Sequence, residues 1–258
     1  MTRNELILKT VLQAGHTIAS IAPSNATVLH KEGRGNYVTL ADKTSESLIF
    51  THIRKHFPSD TVLSEETESS LSDNKLLSAE HLWIIDPIDG TSNYQFNRKY
   101  SCVSIGYAEH GILKLGAVYD PFREELYTAE RGNGAFHNGE KMHVSSSAHL
   151  QHSTIITDNS YDPAIVRTHL ETILKIPQTP WILMKGSLAL EFCEVAAGQA
   201  DLLFSFCPRP WDNAAGFLMI EEAGGMVVDR KGKPVSFLSE EIIAGNSHLI
   251  QEFVEIIR

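Results

Sequence analysis

The sequence is poor in cysteine, and the three cysteines that it has do not form a metal-binding pattern. Cys102, Cys193 and Cys207 lie far apart, and their neighbours are largely apolar. An odd number of cysteines without close spacing argues against a thiolate metal site, and we predict three buried, reduced thiols. The twelve histidines are scattered without paired ligand spacing, so a zinc site is not expected either.

Positive charge is also scarce. The chain has 22 Lys and Arg against 32 Asp and Glu, which gives a formal net charge of −10. No basic run compensates locally, so nucleic acid is not expected as the main ligand. An acidic protein that acts on an anion needs bound cations to reverse the sign of the charge in its site.

Long apolar runs are missing as well. No run approaches the ~20 residues that span a bilayer, and residues 1–3 lead directly into an amphipathic stretch rather than a secretory signal. We therefore expect a cytoplasmic protein. Hydrophobic residues make up 42% of the 258, which suits a soluble globular protein. We expect one domain over 1–258, with a soft subdomain boundary near residue 150.

Apolar spacing and turn residues predict the elements of the chain. A Gly-rich turn is predicted at 33–35, and the apolar run before Asp86 is predicted to be a strand that ends there in a loop. The first half is predicted to contain helices 4–21 and 41–56 and strands 82–85, 102–108, 113–119 and 125–129. The second half is predicted to contain strands 154–157, 181–184, 201–204 and 226–228, with helices after Pro163, from Ser187, after Asp212 and from Ser247. Antiparallel strands followed by alternating elements favour layered sheets and helices.

The densest chemical signal is the run Asp-Pro-Ile-Asp-Gly-Thr-Ser-Asn from Asp86 to Asn93. Its two carboxylates, Asp86 and Asp89, lie three residues apart, and the chain bends at Pro87 and Gly90. In such a turn both carboxylates and a backbone carbonyl can point into one pocket, which suits a hard cation such as Mg²⁺. An acidic turn after a strand gives the same pattern, so these residues alone leave both interpretations open.

Three further acidic segments are each explained by ordinary structure when taken alone. Asp212 stands where a helix should begin, and Asp42 stands at the start of another, so both fit helix capping. Glu65, next to Glu66, fits solvated surface charge. The small residues 214–216 favour a helix that packs closely on its neighbour.

Together these segments closely resemble the inositol monophosphatase family of metal-dependent phosphatases. The resemblance extends roughly from residue 5 to 250, and the run 86–91 matches nearly letter for letter. The matching segments are 39–42, 64–66, 86–91, 132–139, 186–187, 195–198 and 211–225. The resemblance implies an α/β (α+β) fold, a layered α/β/α/β/α sandwich of the inositol monophosphatase/fructose-1,6-bisphosphatase type. It also implies a homodimer.

The resemblance further implies a role for each matching acid. Glu65, Asp86 and the carbonyl of Ile88 would hold one Mg²⁺, while Asp86, Asp89 and Asp212 would hold a second. A third, weaker ion would depend on Glu65 and water. The residues implied to activate the attacking water are Asp42, Thr91 and Glu65. The residues implied to contact the substrate are Gly90, Thr91, Gly186, Ser187, Ser205, Arg209 and Asp212. Two such ions can stabilise the entering and leaving oxygens of a displacement, so no protein nucleophile is needed.

The chain departs from the family pattern at Ser205. Inositol-hydrolysing members usually have at this position a glutamate that grips sugar-like hydroxyls, seven residues before Asp212. Losing a charged acceptor predicts weaker selection of a polyol. Ser64 replaces a common glycine, with little expected consequence. Lys31 and Arg209 match positive positions of relatives, although solvated surface charge explains them equally well.

The implied function is Mg²⁺-dependent hydrolysis of a small phosphate monoester by metal-activated water. Inositol 1-phosphate or a related polyol or sugar phosphate is the leading substrate, and Ser205 keeps histidinol phosphate and 3′-phosphonucleotides as alternatives. A regulatory or binding protein that retains the fold is the alternative from another class. The complete set of acids in this sequence favours the enzyme, since a chain released from catalysis would tolerate their loss.

Overall fold

The chain forms eight α-helices and fourteen strands in the part that the computed structural model describes. The described residues are 1–21, 29–30, 37–67, 71–158, 160, 162–176 and 181–258. The helices are α1 (Arg3–Ser20), α2 (Leu40–His56), α3 (Asp73–Ser78), α4 (Thr91–Gln95), α5 (Pro163–Leu174), α6 (Leu188–Ala196), α7 (Pro210–Glu222) and α8 (Ser247–Ile257). Lys31 and the turn predicted at 33–35 lie outside the described residues.

The strands are β1 (Leu29–His30), β2 (Tyr37–Val38), β3 (Thr61–Ser64), β4 (Leu82–Asp89), β5 (Cys102–Glu109), β6 (Ile112–Asp120), β7 (Glu125–Glu130), β8 (Gly134–His137), β9 (Glu140–Lys141), β10 (Thr154–Thr157), β11 (Trp181–Leu183), β12 (Leu202–Phe206), β13 (Met226–Val228) and β14 (Glu241–Gly245). Strands β3 to β9 form a seven-stranded sheet in chain order, in which β3 and β4 are parallel and the remaining pairs are antiparallel. A five-stranded sheet has the order β11-β10-β12-β14-β13. In it β10 is parallel to β11 and β12, while β14 is antiparallel to both of its neighbours.

The two sheets and the helices stack as five layers. α1 and α2 bury Val11 and Ile49 against Trp83 and Ile105 on the outer face of the seven-stranded sheet. α6 and α7 fill the space between the sheets in the largest core cluster. α8, whose Phe253 packs with β12 and β14, covers the outer face of the five-stranded sheet. The α/β/α/β/α sandwich expected from the sequence is confirmed.

α7 lies very close to the seven-stranded sheet because both surfaces carry small residues. A Cβ added at Gly106 would come within 2.7 Å of Ala214 Cβ, and one added at Gly116 would come within 3.1 Å of the backbone of Ala215. On its other side α7 packs on α6, where a Cβ at Gly216 would overlap the Phe192 ring. The close packing predicted from 214–216 is confirmed.

Several sequence expectations were wrong or incomplete. β4 does not end before Asp86 but continues through Asp89. Cys102 and Cys193 are buried as predicted, whereas Cys207 is exposed, on a loop where its φ is 89°. The sequence patterns did not predict β1, β2, β3, β8, β9, β14, α3 or α4. No helix in the described residues is long and apolar enough to cross a membrane.

Candidate functional site

A β-bulge at the end of β4 places two carboxylates on one face of the seven-stranded sheet. Asp86 is opposite Ser104 and Asp89 is opposite Cys102, so the two residues between the aspartates on β4 oppose a single residue on β5. In a regular strand residues i and i+3 point to opposite faces, and the extra bulge residue restores them to the same face. Both side chains therefore point toward the layer of α6 and α7, and both are buried.

Asp212, in the first turn of α7, completes the group. One carboxylate oxygen from each of Asp86, Asp89 and Asp212 lies within 4.8 Å of the others. We call these three residues the acid cluster. Asp212 Oδ2 also accepts a hydrogen bond from the backbone N–H of Arg209 at 2.9 Å, so the same side chain caps α7 and faces the cluster.

The acid cluster concentrates negative charge in a buried place. Burial, followed by the charges of Glu65, Asp89 and Asp212, raises the pKa of Asp86 well above its ordinary value. Burial and the charge of Asp89 likewise raise the pKa of Asp212. Glu65 is half-buried directly after β3, and its backbone N–H donates to Ile85 O at 3.2 Å, which extends the pairing of β3 with β4.

The Asp89 carboxylate is oriented by the segment that leads into α6. Its Oδ2 accepts hydrogen bonds from Ser187 Oγ at 2.5 Å and from the Ala189 N–H at 2.8 Å. Ser187, a predicted substrate-binding residue, is thus directed at a member of the acid cluster. The preceding Gly186 is fixed by side chains, since its N–H donates to Glu191 Oε1 and its carbonyl accepts from Asn93 Nδ2.

A threonine and a buried aspartate form a second polar group beside the acid cluster. Thr91 Oγ1 lies 3.3 Å from Asp42 Oδ1 and 2.9 Å from the carbonyl oxygen of Ile88, and its proton can go to either acceptor. Asp42 Oδ2 also accepts from the N–H of Thr39 at 2.7 Å and from the Thr39 hydroxyl at 2.5 Å. Burial raises the pKa of Asp42 to about 6 despite these hydrogen bonds. Asp42 therefore both caps α2 and contacts Thr91.

Gly90 joins β4 to the short α4 in a conformation that favours glycine. Its φ is 82°, in the left-handed region. A Cβ there would lie 2.9 Å from the carbonyl oxygen of Tyr100 and 3.1 Å from that of Gly186. The absence of a side chain lets the end of β4 approach the loop before α6.

The remaining predicted substrate residues lie at the end of the five-stranded sheet. Ser205, on β12, is buried, and its Oγ lies 3.5 Å from Asp158 Oδ2. Arg209 is exposed at the start of α7. Asp158, directly after β10, is half-buried.

A family comparison identifies the class of protein that carries this arrangement. The model of the inositol monophosphatase family matches residues 4–258. The chain belongs to the inositol monophosphatase family.

Individual members of the family match over almost the whole chain. Inositol monophosphatase 2 of Solanum lycopersicum is 36% identical over 254 residues, which cover 97% of this chain and 96% of that protein. The fructose-1,6-bisphosphatase/inositol-1-monophosphatase of Thermotoga maritima is 34% identical over 257 residues, 100% of this chain and 96% of the relative. The crystal structure of the extragenic suppressor protein suhB from Bartonella henselae has a TM-score of 0.88 and 31% identity, covering 98% of this chain and 97% of that one.

As a member of the inositol monophosphatase family, the protein is a phosphoric monoester hydrolase, and the family is metal-dependent. Its acid cluster fits a hard divalent cation. Three carboxylate oxygens converge within 4.8 Å. Burial raises the pKa of all three residues, and the charges of neighbouring acids raise the pKa of Asp86 and Asp212 further. The described residues form no ion pair with Asp86, Asp89 or Asp212. A cation with oxygen ligands would compensate this charge.

Sequence reasoning missed three residues that shape the site of this family member. Asn93 and Glu191 hold Gly186, and Asp158 contacts Ser205. Glu191 lies in α6, a helix that is buried all round and whose other residues are apolar except for Glu194. A carboxylate in such a helix is a signal for a specific polar role. Asp158 gives no local signal, because its contact depends on the pairing of β10 with β12.

Proposed function

We propose that this chain removes phosphate from a small polyol or sugar phosphate, with inositol 1-phosphate as the reference substrate, in a reaction that depends on Mg²⁺. The convergence of Asp86, Asp89 and Asp212 within 4.8 Å, in a member of this family, carries the proposal. Within the same proposal the whole chain is one catalytic domain that acts as a cytoplasmic homodimer, with neither nucleic acid nor membrane as partner.

The residues proposed to hold the cations are those that the family resemblance implies, and the convergence of Asp86, Asp89 and Asp212 supports three of them. Asp86, Asp89 and Asp212 would hold one Mg²⁺, and Glu65, Asp86 and the Ile88 carbonyl would hold another, with two to three ions in all. When bound, Mg²⁺ neutralises the phosphate charge and stabilises the negative oxygens of the displacement. Ser187 and the Ala189 N–H keep Asp89 oriented for this role.

The protein's own groups bind the phosphate and manage the proton of the attacking water. The backbone N–H groups of Gly90 and Thr91 would donate to phosphate oxygens, as peptide N–H groups do in other anion sites. Thr91 Oγ1 would accept a hydrogen bond from water while it donates to Asp42 Oδ1, 3.3 Å away. Asp42, assisted by Glu65, would then take up the proton. Gly186, Ser187, Ser205, Arg209 and Asp212 would face the remainder of the substrate.

Phosphate release from a panel of substrates tests the proposal. The panel contains inositol 1-phosphate, histidinol phosphate, fructose 1,6-bisphosphate and 3′-phosphoadenosine 5′-phosphate, each assayed with Mg²⁺ and again with a chelator. We expect release that stops with the chelator and is fastest with inositol 1-phosphate. A preference for another compound would reassign the substrate. No release from any compound would contradict the proposal and favour a regulatory role.

A further inference from the structure

β10 and β12 bring a carboxylate to the site that does not belong to the acid cluster. The two strands are parallel neighbours, and Thr157 is paired with Phe204. The residues that follow Thr157 and Phe204 are therefore also neighbours across the two strands. These residues are Asp158 and Ser205, and their side-chain oxygens lie 3.5 Å apart.

Both side chains point to the face of the sheet that carries α6 and α7. Side chains alternate between the two faces along a strand. Ile156 on β10 and Leu203 on β12 belong to the core cluster between the sheets. Ser205 comes two residues after Leu203 on β12, and Asp158 comes two residues after Ile156, directly beyond the end of β10, so they share that face. The acid cluster lies in the same layer.

The charge of Asp158 reaches the acids on either side of it. It contributes, after burial, to the raised pKa of Glu191, and it also contributes to the raised pKa of Asp212. The charge of Asp158 therefore acts on a member of the acid cluster. Because it is only half-buried, it can contact both Ser205 and a molecule that enters from solvent.

Glu191 adds a second acceptor on this side of the site. Its side chain is fully buried, and its Oε1 accepts the N–H groups of Lys185 and Gly186 at 2.9 and 3.0 Å. Its Oε2 has no hydrogen-bond partner among the described residues. A buried polar atom without a partner is costly, so it favours a ligand that can supply a hydrogen bond.

We propose that Asp158, held in place by Ser205, determines substrate specificity by accepting hydrogen bonds from hydroxyl groups of the leaving alcohol, which selects phosphate monoesters of polyols. A carboxylate accepts several hydrogen bonds at once, so it can contact Ser205 and a substrate hydroxyl together. The proposal rests on the proposed function, since it requires a phosphate at the acid cluster. Ser205 alone predicts weaker selection of a polyol. The proposal reverses that expectation, because Asp158 beyond β10 supplies the charged acceptor that β12 lacks.

The test compares kcat/KM for inositol 1-phosphate with kcat/KM for phenyl phosphate, whose leaving group has no further hydroxyl. Asp158→Asn keeps the shape of the side chain but replaces one acceptor oxygen by a donor. We expect the ratio of the two kcat/KM values to fall roughly tenfold or more, the effect of a lost hydrogen bond to a charged group. Ser205→Ala should lower the same ratio by less, and this variant does not change the charge at Asp158.

Two further variants separate specificity from a structural role. Asp162→Asn makes the same change at an exposed residue nearby, where the side chain caps α5, and should leave the ratio unchanged. Ser205→Glu, added to Asp158→Asn, places a carboxylate on the adjacent strand and should restore most of the lost ratio. Restoration by a residue on another strand would not occur if Asp158 only stabilised the fold.

The outcomes distinguish this inference from the proposed function. If the parent enzyme hydrolyses both compounds and Asp158→Asn lowers both rates equally, the inference is wrong while the proposed function stands. If histidinol phosphate, which carries an ammonium group, loses more activity than inositol 1-phosphate, the carboxylate serves a cation and the hydroxyl assignment is wrong. If the parent enzyme hydrolyses none of the compounds, both proposals fail together.

Discussion

The two sides of the candidate site differ in how deeply their carboxylates are buried. Asp86 and Asp89 are 2% and 7% exposed and receive backbone or hydroxyl hydrogen bonds at 2.5–2.9 Å. On the other side, at the ends of β10 and β12, Asp158 is half-buried and has a 3.5 Å contact with Ser205. We therefore expect the buried side, with Asp86 and Asp89, to act on any phosphate monoester. We expect the more open side, with Asp158, to select the alcohol.

The strongest test of this comparison is Asp86→Asn. The change removes a charge at the centre of the acid cluster, so we expect kcat/KM to fall on the order of a thousandfold or more for every substrate. Phosphate release from inositol 1-phosphate and from phenyl phosphate shows whether the loss depends on the alcohol. Asp73→Asn, at an exposed residue of α3, is the matched control and should have no effect. A loss of activity confined to inositol 1-phosphate would contradict these separate roles of the two sides.

The same variant should be more stable than the parent when no metal is present. The pKa of Asp86 is raised in the folded protein, so its contribution to stability is complete below the unfolded value of 3.8 and is lost as pH rises through the folded pKa. At pH 8 the metal-free parent therefore carries a penalty that Asn lacks. Thermal unfolding in the presence of a chelator measures this penalty. An equal or lower Tm for the variant would contradict the destabilising effect of the buried charge at Asp86.

A smaller effect, with opposite signs for activity and stability, is expected from Asp42→Asn. We expect activity to fall roughly a hundredfold on all substrates, the contribution of a proton acceptor. The folded pKa of Asp42 is about 6 and the unfolded value is 3.8, so its contribution to stability is lost as pH rises through 6. The variant should therefore gain up to about 3 kcal/mol over the parent at pH 8 and nothing at pH 4. Urea unfolding of the metal-free proteins at both pH values checks this sign.

The smallest effect is expected at Glu191, which lies between the two sides. Glu191→Gln retains an acceptor for the N–H groups of Lys185 and Gly186, whereas Glu191→Ala leaves both unpaired and should cost about 1–3 kcal/mol. Because Gly186 leads to Ser187, which orients Asp89, we expect Ala to lower kcat for both substrates by a similar factor and Gln to change it little. Urea unfolding and the two-substrate assay measure these effects. A change in selectivity without loss of rate on phenyl phosphate would show that Glu191 acts by its own contact with the alcohol and not through Gly186.

Periodicity predicted the long elements well and the short ones poorly. α1, α2 and the central antiparallel strands carry enough apolar repeats to be predicted directly, and each observed bound lies within one residue of the expected one. β3 and β14 have four and five residues, too few to show a period. The extension of β4 was missed because Pro87 and Gly90 indicate a turn, whereas the chain makes a bulge that keeps pairing with β5.

The local part of the site was accessible from sequence, and the part made by strand pairing was not. Asp86 and Asp89 stand in one short run, so their proximity follows from the chain itself. Asp212 could be linked to them only through resemblance, since α7 begins more than a hundred residues later. Asp158 reaches the site through the register of β10 and β12, which no local pattern encodes.

The close packing of α7 on Gly106 and Gly116 has a consequence for folding cooperativity. α7 follows β12 of the five-stranded sheet directly, yet its small residues are pressed against the seven-stranded sheet. Asp212 can therefore join Asp86 only when both sheets are assembled on the helix between them. A cation bound at these carboxylates would favour the folded state over every partly unfolded one in which either sheet has come away. Metal binding should thus raise the resistance of both sheets to amide hydrogen exchange together, including strands far from any ligand.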